Sequence, residues 1–281
     1  MTDAPYPYRQ LVFSGGGLRC FWHGGFLEAF TETRALRPDR ITGSSGGALS
    51  AAAWVLGAER RLRDMFADAM AGLDSNVTLD DLGSDDGRSV HQRTYDAILD
   101  KLLDASALAR IAEGPAFQIN VATPGTSRAP TARALLGGTI YQAEQLLSPT
   151  PRPRLSTLAG MEQRLIDARQ AAQNGTLADL IRMAATVPPA FRPDDWNGET
   201  IFDGGMVDKA PMPDPDDGPT LVLLTKRFHA LPDDENGRIT FVEPGEDILP
   251  GRKLDFTDPG LLVEAWDQGR DDGRRWRNKI A

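Results

Sequence analysis

Twice before Leu49 the chain makes the same move: a short apolar run stops at a glycine-rich turn, and an apolar helical stretch follows at once. The first unit runs from residues 9–13 through Ser14-Gly15-Gly16-Gly17 into a segment where Leu18, Phe21, Trp22, Gly25, Phe26, Ala29 and Phe30 recur at helical spacing. The second turns at Arg37-Pro38-Asp39, continues as Arg40-Ile41-Thr42, passes Gly43-Ser44-Ser45-Gly46-Gly47 and enters an apolar helix over 48–56. A strand that feeds a helix cannot form a hairpin with the next strand; it returns by a crossover and pairs in parallel. The opening therefore dictates an α/β fold with a mostly parallel sheet.

The rest of the chain continues that alternation less clearly. Residues 74–87 are polar and loop-like, 90–111 carry a helical pattern, and 116–122 read as a strand. Pro, Gly, Ser and Thr are abundant over 124–153, which predicts a hairpin over 132–141 and makes this stretch the candidate for a mobile cover. A helical pattern covers 155–185 and stops at Val187-Pro188-Pro189. A short strand over 200–202 leads into Asp203-Gly204-Gly205, a buried core strand covers 221–224, surface turns cover 214–218 and 232–237, and a terminal helix follows Pro259. No internal repeat or linker divides residues 1–281, so a single domain is expected.

Composition narrows the partners. A net charge of −9 argues against nucleic acid, and the lone Cys20 suits a reducing compartment. The N-terminus lacks the apolar core of a signal peptide, and the longest apolar stretch, 48–58, is too short to span a bilayer. A cytoplasmic location follows as the expectation, with peripheral membrane contact where a lipid is handled. Arg270, Arg274, Arg275, Arg277 and Lys279 surround Trp276, a pattern that suits a lipid headgroup layer. Asp271 and Asp272 dilute this charge, which favours a solvated helix end instead. The three histidines are dispersed, so no metal cluster is expected, and no sequence signal bears on oligomeric state.

Three short motifs carry chemistry. Gly43-x-Ser45-x-Gly47 matches a nucleophile elbow, in which a sharp strand-to-helix turn lifts a serine hydroxyl clear of the backbone. The five residues alone equally describe a structural turn. Gly15-Gly16-Gly17 leaves main-chain amides unobstructed. A phosphate-binding Walker loop would need Lys and then Ser or Thr where Leu18-Arg19-Cys20 stands, and a dinucleotide fingerprint would need glycine in place of Cys20. An oxyanion hole formed by the amides of Gly15, Gly16 and Gly17 fits better. Arg19 is either a support for that loop, an attractor of an anionic group, or an ordinary surface residue. Asp203-Gly204 marks a turn, or places a carboxylate where it can take a proton from Ser45.

Together these blocks resemble the patatin-like phospholipases, lipid acyl hydrolases that use a Ser-Asp dyad. Gly15-Gly16-Gly17-Leu18-Arg19 resembles the family's oxyanion motif, with His23, Gly25 and Leu27 continuing along its helix; Gly43-x-Ser45-x-Gly47 resembles the nucleophile motif, and Asp203-Gly204-Gly205 the acid motif. Residues 184–191, with their small residues and two prolines, resemble the segment before that aspartate, so the likeness spans about residues 11–211. Two positions depart: Cys20 stands where the family usually has glycine, and Asp208 where it often has asparagine.

The resemblance implies a patatin-like three-layer fold with a central mostly parallel sheet between helices, and one catalytic domain over 1–281. It implies hydrolysis of carboxylic esters of phospholipids or related acyl lipids, with Ser45 as nucleophile and Asp203 as base and no histidine between them. It also implies no metal or organic cofactor, calcium included. Two rival readings remain at this point. Ser45, Asp203 and His229 stand in the order of an α/β-hydrolase triad, although too few strands precede Ser45 for that fold. The same scaffold could also serve as a non-catalytic lipid-binding module.

Overall fold

A computed structural model describes residues 4–73, 90–125, 150–151, 160–187, 194–234 and 236–280. The expected strand–turn–helix opening is present. β1 (Gln10–Phe13) leads through a 3-10 turn (Gly17–Cys20) into α1 (Phe21–Phe30), and β2 (Arg40–Ser44) leads into α2 (Gly46–Leu56). There follow α3 (Glu59–Met70), α4 (Val90–Leu102), α5 (Ala105–Glu113), β3 (Ala116–Thr123), β4 (Glu162–Asp167), α6 (Ala168–Gln173) and α7 (Leu177–Met183). The remaining elements are β5 (Asp194–Trp196), β6 (Glu199–Asp203), β7 (Thr220–Leu223), β8 (Ile239–Val242) and α8 (Gly260–Ile280).

The strands form one mixed, mostly parallel sheet in the order β5-β6-β3-β2-β1-β7-β8, with β4 also paired to β3. The run β3-β2-β1-β7-β8 is parallel throughout. β4 and β6 both join β3 antiparallel. β1 is central, and all four of its residues are buried, as expected of a parallel strand covered on both faces. Leu11 and Phe13 point into the main core with Phe26, Ala52 and Leu180, drawn from the flanking helices, while Val12 and Val222 join Ala210 and Leu224 on the other face.

Two helical readings break where the sequence offers a cap. The pattern over 90–111 is two helices, because Asp104 accepts a hydrogen bond from the Ala107 amide (2.9 Å) and starts α5. The pattern over 155–185 predicts helix, but Glu162–Asp167 is a strand. Asp167 then caps α6 by accepting from the amides of Arg169 and Gln170, and Gly175 (φ 72°) separates α6 from α7. Exposed, polar Glu162-Gln163-Arg164 gave no strand signal by itself; pairing with β3 supplies the order. The proposed cover and its hairpin fall almost wholly on 126–149 and 152–159, outside the described residues, as does the loop over 74–87.

α8 seals the molecule against α1 at close range. A Cβ on Gly269 would lie 2.3 Å from the Trp22 carbonyl oxygen, so only glycine permits this approach. Trp22 Nε1 donates to the buried Asp272 carboxylate (2.8 Å) across the same seam. The basic end of α8 is tied down locally: Arg270 pairs with Glu28, Arg274 with Asp271, Arg275 with Asp272 and Arg277 with Glu32. No helix of the described residues is long and apolar enough to cross a membrane.

Candidate active site

β2 delivers Ser45 directly. The strand ends at Ser44, α2 begins at Gly46, and Ser45 between them has φ 54° and ψ −134°, a conformation that a non-glycine residue adopts only when its surroundings force it. Part of that force is proximity. A Cβ on Gly47 would lie 2.4 Å from the Phe13 carbonyl oxygen, so α2 sits against the end of β1 only because Gly47 has no side chain. Neighbouring Ser44 is buried and its hydroxyl donates to the Asp208 carbonyl (3.1 Å), fixing the strand end.

Asp203 arrives from another part of the sheet. It is the last residue of β6, paired with Val121 of β3, and its amide donates to the Thr186 carbonyl (2.9 Å). Ser45 Oγ donates to Asp203 Oδ2 at 2.6 Å, and the Gly205 amide donates to Oδ1 at 2.7 Å. Both carboxylate oxygens are thus engaged, and the residue is only 7% exposed. Burial pushes the Asp203 pKa up; the hydrogen bonds from Ser45 and Gly205 and the positive charges of Lys209 and Lys253 pull partly back.

The glycine loop lies against this pair. A Cβ on Gly15 would come within 3.1 Å of Ser45 Cβ, and one on Gly46 within 3.3 Å of the Gly17 carbonyl oxygen. The three glycines are not equivalent. The Gly15 amide already donates to the Lys209 carbonyl (2.9 Å), so it is not free to hold an oxyanion, which corrects the expectation of three donors. The amides of Gly16 and Gly17 have no acceptor among the described residues. Gly17 has φ 60°, and a Cβ there would lie 2.5 Å from the Lys253 carbonyl oxygen. Arg19 Nε is buried without a hydrogen-bond partner among the described residues, and burial pulls the guanidinium pKa down against the charge of Asp247. Cys20 is buried with its Sγ toward the Ser14 carbonyl, and burial pushes its thiol pKa up, which keeps it protonated.

None of the three histidines hydrogen-bonds to Ser45 or Asp203. His23 is fully buried edge-on to Phe13, and burial pulls its pKa down to about 3. His91 packs on Phe256, and His229 is exposed. An aspartate that meets the serine directly, with no imidazole between, sits on the very segments that carry the glycine, serine and aspartate motifs. Residues 11–216 match the family described as patatin-like phospholipase. The chain belongs to the patatin-like phospholipase family. That places it among the lipid acyl hydrolases in general. Among solved structures, VipD from Legionella pneumophila is similar at 12% identity and a TM-score of 0.48, over 98% of this chain and 68% of that one. No curated protein matches the chain in sequence.

Sequence reasoning missed Asn120. Its side-chain amide donates to the carbonyls of Gly204 (3.0 Å) and Asp208 (2.7 Å), so one buried side chain ties β3 to the turn that follows Asp203. The available signal was an amide set in the apolar run Phe117 to Val121, where a buried polar group needs a partner. The Val187-Pro188-Pro189 stop runs into residues 188–193, which lie outside the described residues.

Proposed function

We propose that this patatin-like protein is a serine-dependent carboxylic ester hydrolase of acyl lipids that works through an acyl-enzyme. The observation that carries the reading is the 2.6 Å hydrogen bond from Ser45 Oγ to Asp203, made by a serine held at φ 54°. In the first half-reaction, Ser45 Oγ bonds to the ester carbonyl carbon while Asp203 takes the hydroxyl proton. The tetrahedral intermediate collapses, the ester C–O bond breaks, and Asp203 returns the proton to the departing alcohol. Water then repeats the sequence on the acyl-enzyme and releases the fatty acid. The amides of Gly16 and Gly17, without an acceptor among the described residues, serve as donors to the oxyanion in this reading, and the first amides of α2 add the positive end of a helix dipole. No metal or organic cofactor enters these steps. The whole chain acts as one catalytic domain in this reading.

The test is hydrolysis of a medium-chain p-nitrophenyl ester by wild type, Ser45→Ala and Asp203→Asn, with folding followed by circular dichroism. Folded Asp203→Asn should lose about 10²–10⁴-fold in rate, the usual contribution of a general base, and folded Ser45→Ala at least as much. A folded variant that keeps full activity would refute the dyad. An inert wild type that also resists a fluorophosphonate probe would point to a lipid-binding module instead.

A further inference from the structure

The hydroxyl of Tyr95, on α4, is buried without a hydrogen-bond partner among the described residues. A buried donor left unmet costs a fold stability, and a ligand that brings an acceptor removes that cost. The side chain does not end in solid core. Tyr95 lines a cavity with Phe66 and Met70 of α3, His91 of α4 and Phe256 of the loop over 249–258. Burial, and then Cys20, Asp203 and Asp96, push its pKa up, so the hydroxyl keeps its proton and stays a donor.

Three lines of contact bring this cavity alongside the dyad. Phe66 meets the Tyr95 ring (centroids 6.1 Å apart) and, edge-on, the Phe21 ring (5.3 Å). Phe21 directly follows Cys20, whose Sγ lies 3.0 Å from where a Gly46 Cβ would stand, next to Ser45. The loop that supplies Phe256 also covers one end of the glycine loop. Its Lys253 carbonyl accepts from the Leu18 amide (2.9 Å), and a Leu254 methyl lies 3.2 Å from where a Gly17 Cβ would stand. The other end is held elsewhere, at Gly15, whose carbonyl accepts from the Thr225 hydroxyl (2.6 Å). The third line runs to Asp203. Asp96, next to Tyr95, pairs with Arg182 of α7 (3.8 Å), and the Arg182 carbonyl accepts from the Thr186 hydroxyl (3.2 Å). Thr186 in turn accepts the Asp203 amide on its own carbonyl (2.9 Å).

We propose that the Tyr95 hydroxyl donates a hydrogen bond to the ester of the bound acyl substrate, which makes Tyr95 a further catalytic residue. The assignment rests on the hydrolase reading above and extends it. A saturated acyl chain brings no acceptor into an apolar cavity, so the oxygens that can meet this donor belong to the ester at Ser45. A donor fixed there before the substrate arrives needs no reorganisation during the reaction. It also explains why the fold keeps a hydroxyl where phenylalanine would pack as well.

The experiment compares wild type and Tyr95→Phe on p-nitrophenyl butyrate and p-nitrophenyl octanoate, with thermal denaturation of both proteins. The expected result is a kcat/KM about tenfold lower on both esters, with a melting temperature equal to or above that of wild type. The exchange keeps the ring and deletes only an unmet hydroxyl, so a structural role would show as a lower melting temperature. An unchanged kcat/KM overturns the proposal, as does a loss of activity that accompanies a lower melting temperature. A loss confined to octanoate would place the hydroxyl along the chain rather than at the ester, and overturns it too. If wild type cleaves neither ester, the hydrolase reading fails separately. Calorimetric titration with the uncleaved octanoate ester then decides: weaker binding by Tyr95→Phe supports the contact, and equal or absent binding sinks it.

Discussion

Burial holds Asp203 above the ordinary aspartate pKa although Ser45, Gly205, Lys209 and Lys253 all favour its charged form. A base acts only when deprotonated, so kcat/KM should rise with pH through a limb lying above the free aspartate value of about 3.9. A limb at or below that value would sink the assignment. Stability has the opposite sign. A carboxyl whose folded pKa is raised contributes stability below its unfolded pKa, and that contribution is lost as pH rises through the folded value. At neutral pH the ionised Asp203 therefore weakens the fold. Asp203→Asn should melt at or above the wild-type temperature at pH 7, with the difference closing below about pH 4, as thermal denaturation across pH will show. Ser45 and Asp203 were legible in the sequence because each sits in a short motif whose glycines serve local geometry. The engagement of the Gly15 amide was not legible, because its acceptor belongs to Lys209, almost two hundred positions away.

At the scale of elements, the site depends on how β6 meets β3. Their pairing is short, covering only Val121 with Asp203 and Ala122 with Phe202. Asn120 extends it by bridging to the Gly204 and Asp208 carbonyls. Asn120→Ala removes one donor from each of these carbonyls, which keep the Ser44 hydroxyl and the Val207 and Asp208 amides, so the loss is about 0.5–1.5 kcal/mol per bond. Urea unfolding should register that loss. Because Asp203 is held beside these carbonyls, kcat should fall more than KM; an unchanged kcat would mean that Asp203 is positioned without this brace. The opening βα units were legible because strand, glycine turn and helix follow one another in sequence. β4 was not, since its polar residues take their order from pairing with β3, and short helices such as α6 begin only where Asp167 caps them.

Across the whole molecule, α1 links the glycine loop to the distant α8. The loop enters α1 through the 3-10 turn at Gly17–Cys20, and α1 is gripped along α8 by contacts that exclude side chains. Besides Gly269, a Cβ on Gly273 would fall 2.4 Å from the Phe26 carbonyl oxygen, and one on Gly25 would fall 2.0 Å from the Trp266 carbonyl oxygen. Both sides of the seam are thus backbone against backbone, and the basic end of α8, whose sequence favours a solvated helix end over a membrane surface, pairs with α1 and the residues just after it through Arg270–Glu28 and Arg277–Glu32. Gly269→Ala forces a methyl against the Trp22 carbonyl, where no flexible side chain can yield. The helices must move apart, with a loss of about 1–3 kcal/mol as in other overpacked cores. Since α1 carries the loop that faces Ser45, the displacement should reach the site, so that esterase activity in the folded variant drops along with the melting temperature. A variant that loses stability but keeps wild-type kcat would show that the glycine loop is held by Thr225, Lys209 and Lys253 alone, independently of the α1–α8 seam.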